Sequence, residues 1–336
     1  MVTPFDATRF RGNDKLSQHP KRNELDIILS FHLYCDANIH GRKVLLNTNH
    51  SKGCRMRNLC HLLLFFSMIG ISSAVLAQEK PSAINGLFPP GEDNARAALD
   101  KSPRHGEWID IYYDGKTSIR TWVVYPERKD KAPVVLMIHE IFGLSDWMRS
   151  VADQLAKEGF IAVAPDLISG FGPNGGGTAS VSSRDSVVML IRNLSAEETY
   201  KRLDYVRAFA IRLPAANGKC ATVGFCWGGG RSFGYACIRP ELKAAIVYYG
   251  TSPDSAELLN LNVPVLGLYG GDDARVGATV EPASVEIKKL GKTFEYEMYD
   301  GAGHGFLRAQ SDRDGANLRA TEKAWPRMLE FLRKYF

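Results

Sequence analysis

No C-x-x-C pair occurs in the 336 residues, which removes the dithiol arrangement that a redox protein would use. The most glycine-rich stretch, residues 170–177, lacks the G-x-x-x-x-G-K-[ST] spacing that cradles a nucleotide phosphate. No cluster of side chains has metal-ligand spacing, so neither metal nor cofactor is expected. Excess positive charge is missing from most of the chain. The formal charge of +5 resides in residues 1–77, with ten Lys or Arg against five Asp or Glu, whereas residues 78–336 hold thirty-two of each. A balanced chain offers no basic footprint for nucleic acid. Residues 105–336 contain no internal repeat and no linker, and their length suits one α/β domain.

One long apolar run is present. Residues 59–76 follow Arg55, Met56 and Arg57 and precede Ala77 and Gln78, the layout of a secretory signal peptide cleaved after Ala77. The run is near the lower length for spanning a bilayer, and Ser67, Gly70, Ser72 and Ser73 favour cleavage over anchoring. Such a peptide belongs at an amino terminus, so translation is expected to begin at Met56. Residues 1–55 then read as a non-native or poorly ordered extension, 56–77 as signal peptide, 78–104 as a surface lead-in and 105–336 as the folded domain. The expected location is secreted or periplasmic, with no stable membrane insertion after cleavage.

Cys220, Cys226 and Cys237 remain beyond the cleavage site. An odd number in an oxidising compartment implies a free thiol or an intermolecular bond. Cys220 lies six residues before the turn at Cys226 and Cys237 eleven after it, so strand and helix rises bring the two nearly level. A Cys220–Cys237 disulfide and two separate buried thiols both stay open.

Along the chain, residues 108–113 and 118–126 read as a hairpin around Asp114-Gly115-Lys116. Residues 133–138 (PVVLMI) are apolar without alternation, as expected of a strand covered on both faces. A helix is expected over 146–159, a strand over 160–166 and a mobile rim over 169–178. A helix over 195–213, the strand 221–223, strands over 244–250 and 263–270, a helix over 281–290, a strand over 293–299 and a closing helix over 319–335 follow. This alternation predicts a doubly wound, mostly parallel sheet with helices on both faces.

The chemistry centres on Gly224-Phe225-Cys226-Trp227-Gly228, a strand end turning into a helix. A G-x-nucleophile-x-G turn needs glycines because side chains two residues either side of the strained nucleophile would collide. A thiol nucleophile needs a base, and the base an orienting carboxylate. Only one histidine follows Cys226, His304, in a turn after the last strand. Asp272 and Asp273 follow the preceding strand, with Asp273 expected as the acid and Asp272 as a turn residue. Backbone N–H groups of Ile141 and Trp227 are expected to face a developing oxyanion. Glu140 bears on the thiol through its charge, and His139 is expected to be structural.

Glu140-Ile141-Phe142-Gly143, Gly224-Phe225-Cys226-Trp227-Gly228-Gly229, Tyr248-Tyr249-Gly250, Gly271-Asp272-Asp273 and His304-Gly305-Phe306-Leu307-Arg308 together resemble dienelactone hydrolase (carboxymethylenebutenolidase) over roughly 105–336. The resemblance implies an α/β-hydrolase fold, with Cys226 as nucleophile, Asp273 and His304 as its partners and Glu140 holding and activating the thiol. It makes Arg308 a contact to a substrate carboxylate, shared with a second arginine for which Arg184 and Arg192 are both candidates. The implied activity is opening of lactones or cleavage of activated esters. A thiolate leaves more readily than an ordinary alkoxide or amine, so amides are excluded. The rival classes are a non-catalytic small-molecule binding protein on the same fold and a redox protein, the latter disfavoured by the missing C-x-x-C.

Overall fold

Val134 to Ile138 have no exposed surface, and a run without polar alternation must be covered on both faces. The computed structural model, which describes residues 86–113 and 115–336, shows how. The expected extension, the signal peptide, the first part of the lead-in and Asp114 of the hairpin turn lie outside the described residues.

Eight strands form one sheet: β1 (Gly106–Tyr112), β2 (Ser118–Val124), β3 (Ala132–Ile138), β4 (Ile161–Pro165), β5 (Ala216–Phe225), β6 (Ala245–Tyr248), β7 (Val265–Gly270) and β8 (Phe294–Tyr299). Their order is β1-β2-β4-β3-β5-β6-β7-β8. The β1–β2 hairpin and the β2–β4 contact are antiparallel, and every other pair is parallel. The helices are α1 (Glu92–Asp100), α2 (Asp146–Lys157), α3 (Arg184–Asn193), α4 (Ala196–Ala210), α5 (Trp227–Ile238), α6 (Ser255–Leu258), α7 (Ala274–Lys289) and α8 (Ala316–Tyr335).

Strand alternation divides the core in two. Val135 and Met137 of β3 and Ile246 and Tyr248 of β6 pack with Trp147 of α2 and Trp325 and Phe331 of α8. Val134, Leu136 and Ile138, with Ala245 and Val247, pack on the other face with Leu203 of α4, Phe233 of α5 and Val276 of α7. This is the expected doubly wound sheet.

Several elements depart from the sequence reading. The lead-in contains α1, which packs on α2. Ala95 is its buried residue, and the apolar face of Ala95, Ala98 and Leu99 is short and made mostly of small side chains. Helix α3, capped by the Ser183 hydroxyl, is a further addition. Helix α7 begins at Ala274, not 281, because Asp273 caps it, and it continues through Pro282, a residue more usual in a first turn.

The glycine-rich segment is pinned, where a mobile rim was expected. Asp166 accepts from the Thr178 backbone N–H at 2.6 Å and from its hydroxyl at 2.9 Å, and Thr178 Oγ1 in turn accepts from Leu144 N–H at 3.1 Å. Buried Arg202 donates to the Ser169 carbonyl at 2.7 Å at the start of the segment. Cys220, Cys226 and Cys237 are free thiols. Cys220 lies in the field of Arg207 and Cys237 in that of Glu257 and Lys292; burial pushes both up to about 12. Of the two readings left open, the structure has the separate buried thiols.

Candidate active site

Strand β5 delivers Cys226 to the sheet's carboxyl end, where α5 begins. Cys226 has φ 55° and ψ −116°, a region that a side chain enters at a cost of about 1–3 kcal/mol. Tight packing enforces it. A Cβ on Gly224 would lie 1.9 Å from the Gly228 carbonyl oxygen, and one on Gly228 would lie 2.2 Å from that of Ile138. No rotamer relieves a clash with backbone, so the glycines are obligatory and the sulfur is held out from the sheet.

His304, in the turn after β8, meets Cys226 Sγ through Nε2 at 3.0 Å and Asp273 Oδ2 through Nδ1 at 2.5 Å. Asp273 uses its other oxygen to accept from Val276 N–H at 3.3 Å, capping α7. One carboxylate therefore fixes a helix start and orients an imidazole. Asp272 pairs instead with Arg313 at 2.7 Å.

The backbone N–H groups of Trp227 and Ile141 pull the Cys226 pKa down and so favour its thiolate. Burial outweighs them and, with the Glu140 charge, pushes the thiol up to about 11; Arg275 pulls it the other way. Glu140 is 2% exposed, and its carboxylate lies 2.9 Å from Arg308 Nε and 3.3 Å from the Tyr249 hydroxyl. Burial raises Glu140 to about 7 against the pull of Arg308 and Tyr249. Tyr249, itself at φ 41°, packs edge-on to His304 at 5.3 Å. The thiol is thus held by His304, whereas the resemblance made Glu140 its holder; Glu140 acts on it through charge.

His139 is structural, as expected. It is buried, its Nδ1–H donates to the Glu140 carbonyl at 2.8 Å, and its Nε2 accepts from Leu167 N–H at 3.2 Å. Burial lowers its pKa and so favours the neutral ring, which stacks on Trp227.

Beside the sulfur lies a cavity of about 630 Å³, lined by Ile141, Trp227, Tyr249 and three arginines, Arg192, Arg231 and Arg275. Arg308 is engaged elsewhere: it pairs with Glu140 and with Glu92 of α1, and lies over the Phe142 ring. Arg184 joins the same group, 3.3 Å from Glu92 and over the same ring. The two candidates for a second arginine therefore separate, Arg184 to the Arg308 group and Arg192 to the cavity. Tyr249, Glu92, Arg231 and Arg275 have no assigned role in the sequence reading. Tyr249 lies within a recognised motif, and Arg231 and Arg275 each stand two residues after one, whereas Glu92 is near none. Among the described residues, no group of three or more His, Cys, Asp or Glu could hold a metal ion.

The arrangement can move a proton from Cys226 to His304 and hold negative charge between two backbone donors. The family model described as "Dienelactone hydrolase family" matches residues 119–336. A Salmonella typhimurium protein named "Putative carboxymethylenebutenolidase" is 32% identical over 252 residues, covering 71% of this chain and 87% of that one. A Pseudomonas putida carboxymethylenebutenolidase is 30% identical over 226 residues, covering 66% and 92%. A solved Klebsiella pneumoniae chain described as a "Putative Dienelactone Hydrolase" matches with TM-score 0.61 at 28% identity, spanning 69% of this chain and 99% of that one.

Proposed function

The chain belongs to the dienelactone hydrolase family, hydrolases of ester and lactone bonds on the α/β-hydrolase fold, and from that premise we propose that it works through a Cys226 acyl-thioester after export. The observation that carries the mechanism is His304, hydrogen-bonded at once to Cys226 and Asp273 beneath the strained turn. With the thiol raised to about 11, free thiolate is scarce at neutral pH, so a base within hydrogen-bond reach is required.

His304 Nε2 takes the thiol proton as sulfur attacks the carbonyl carbon. The resulting oxyanion is held by the N–H groups of Ile141 and Trp227. Collapse expels the alkoxide or enolate, which receives the proton from His304, and leaves the acyl group on sulfur. Water then gives a proton to His304 and attacks the thioester; sulfur departs, recovers that proton, and the acid is released. Asp273 keeps the imidazole oriented and stabilises its charged form. Because sulfur is the better leaving group against an amine, enol lactones, activated esters and thioesters turn over and peptides do not.

A panel of a dienelactone, p-nitrophenyl acetate, a simple thioester and a peptide tests this, with mass spectrometry of the quenched protein. Turnover lost in Cys226→Ala, with an acyl adduct on Cys226 in the original, is the expected result. Equal turnover by both proteins would overturn the mechanism. Export rests on the basic, apolar and small-residue layout of residues 55–77. Cell fractionation with amino-terminal sequencing should find a mature chain starting at Gln78 outside the cytoplasm, and an uncut chain in the cytoplasm would sink it.

A further inference from the structure

We propose that Thr178, anchored on Asp166, is a positioning residue for the oxyanion hole: it clasps the exit of the turn 140–143 and so keeps the Ile141 N–H aimed at the reacting centre. This rests on the hydrolase reading and adds to it a residue that touches neither substrate nor sulfur.

The direction of the Ile141 N–H is set from behind. In a planar trans peptide the N–H points opposite to the carbonyl of the residue before it, here Glu140. That carbonyl accepts from the Gly143 N–H at 3.1 Å and from His139 Nδ1–H at 2.8 Å. The N–H therefore keeps its aim while the turn stays closed. His139 fixes the entry, because its Nε2 accepts from the Leu167 N–H just beyond β4. Thr178 fixes the exit. Its Oγ1 accepts from the Leu144 N–H at 3.1 Å, and Gly143, at φ 73°, comes so near that a Cβ there would lie 2.2 Å from Oγ1.

Thr178 is itself tied down. Asp166 accepts from its hydroxyl at 2.9 Å and from its backbone N–H at 2.6 Å, and a Cβ on Gly177 would lie 2.3 Å from the Asp166 carboxylate. With its one hydrogen given to Asp166, the hydroxyl has only lone pairs to offer Leu144. Both ends of the turn thus return to residues 166 and 167, at the end of a fully buried strand. The segment that follows also backs both oxyanion donors: Ile168, with Val187 and Ile191 of α3, forms a small apolar cluster against which Ile141 and Trp227 pack. Such backing matters because a donor stabilises an oxyanion most when it needs no reorganisation during the reaction.

Thr178→Val keeps the shape and removes both hydroxyl bonds, whereas Thr178→Ser keeps the hydroxyl. In the intact protein, Thr178→Val should lower kcat for p-nitrophenyl acetate about tenfold, less than the roughly 10²- to 10³-fold cost of deleting a donor outright, with KM changed less than about twofold. Affinity for an aryl trifluoromethyl ketone, whose carbonyl carbon bonds the Cys226 sulfur and leaves a tetrahedral oxyanion, should fall in step with kcat. Thr178→Ser should restore both. A merely structural threonine would shift Tm and leave kcat and ketone affinity intact, and that result would overturn the proposal, as would a serine variant as impaired as the valine one.

Iodoacetamide labelling of Cys226 separates the clasp from the mechanism, because it needs no turnover and forms no oxyanion. The Ile141 N–H favours the thiolate, and replacing threonine by valine changes no charge. Labelling of Thr178→Val at pH 8 should therefore slow about threefold, the scale of one weakened hydrogen bond. Where Cys226→Ala keeps full turnover, the acyl-thioester fails by itself and this labelling rate decides the clasp. An unchanged rate counts against the clasp even if turnover depends on Cys226.

Discussion

His304 and Glu140 both influence the Cys226 sulfur, but from different surroundings. The His304 side chain is 34% exposed and touches sulfur directly, with a carboxylate behind it. Glu140 is 2% exposed, is held by an arginine and a tyrosine, and acts on the sulfur by charge. The first can exchange a proton with substrate and water. The second opposes ionisation of the thiol, so that a reactive thiolate does not accumulate at rest. Under the proposed mechanism, exposure separates the group that moves protons from the group that sets the resting state.

The largest effect should come from removing what both sides serve. Cys226→Ala should lower kcat/KM for p-nitrophenyl acetate by about 10³-fold or more, since residues that act as a unit fail together. Residual activity above a tenth would mean that the sulfur is not the shared centre. Next, Asp273→Asn should cost about 10²-fold in kcat through loss of the charge behind His304. The asparagine oxygen can still cap α7, so thermal stability should change little; a collapse in Tm with kcat retained would make Asp273 a cap only.

On the buried side, the expected effects are smaller and depend on pH. Glu140 has a folded pKa near 7 against an ordinary value of 4.5. Between those values the folded chain binds more protons than the unfolded one, so this group makes stability fall as pH rises through the window. The loss is at most about 3 kcal/mol, and Glu140→Gln should flatten that slope in urea titrations at pH 4.5, 6 and 7.5. A slope unchanged by the substitution would mean that Arg308 and Tyr249 already hold the carboxylate ionised. The mildest expected change is in thiol alkylation: removing the Glu140 charge should move the pH midpoint for iodoacetamide labelling of Cys226 downward. An upward shift would reverse the contrast and make Glu140 an activator of the resting thiol.

Much of this site is legible in the amino-acid sequence. The glycines at 224 and 228 announce a backbone too crowded for side chains, and the clashes with the Gly228 and Ile138 carbonyls are its physical content. His304 stands out because it alone follows Cys226, and Asp273 because it follows the preceding strand. Helix α1 is hidden because its apolar face is short and mostly alanine, and the pinned loop because Asp166 and Thr178 are twelve residues apart with nothing in their spacing to pair them. The early start of α7 is hidden because the position of Asp273 speaks for its chemistry, whereas its capping role depends on which way the second oxygen turns.

What the sequence by itself determined was the order of strand, tight turn and helix at Cys226 and the succession Cys226, Asp273, His304. These follow from local sterics and from the direction of a parallel sheet, both written in neighbouring residues. Only the tertiary structure decided which charges meet. Arg308 and Glu92 are 216 residues apart and carry no shared pattern, yet the fold brings them into contact. The fold brings Arg231 of α5 and Arg275 of α7 to the lining of one cavity. Ion pairing depends on distances that packing alone supplies, so the site's chemistry can be read along the chain but its selectivity cannot.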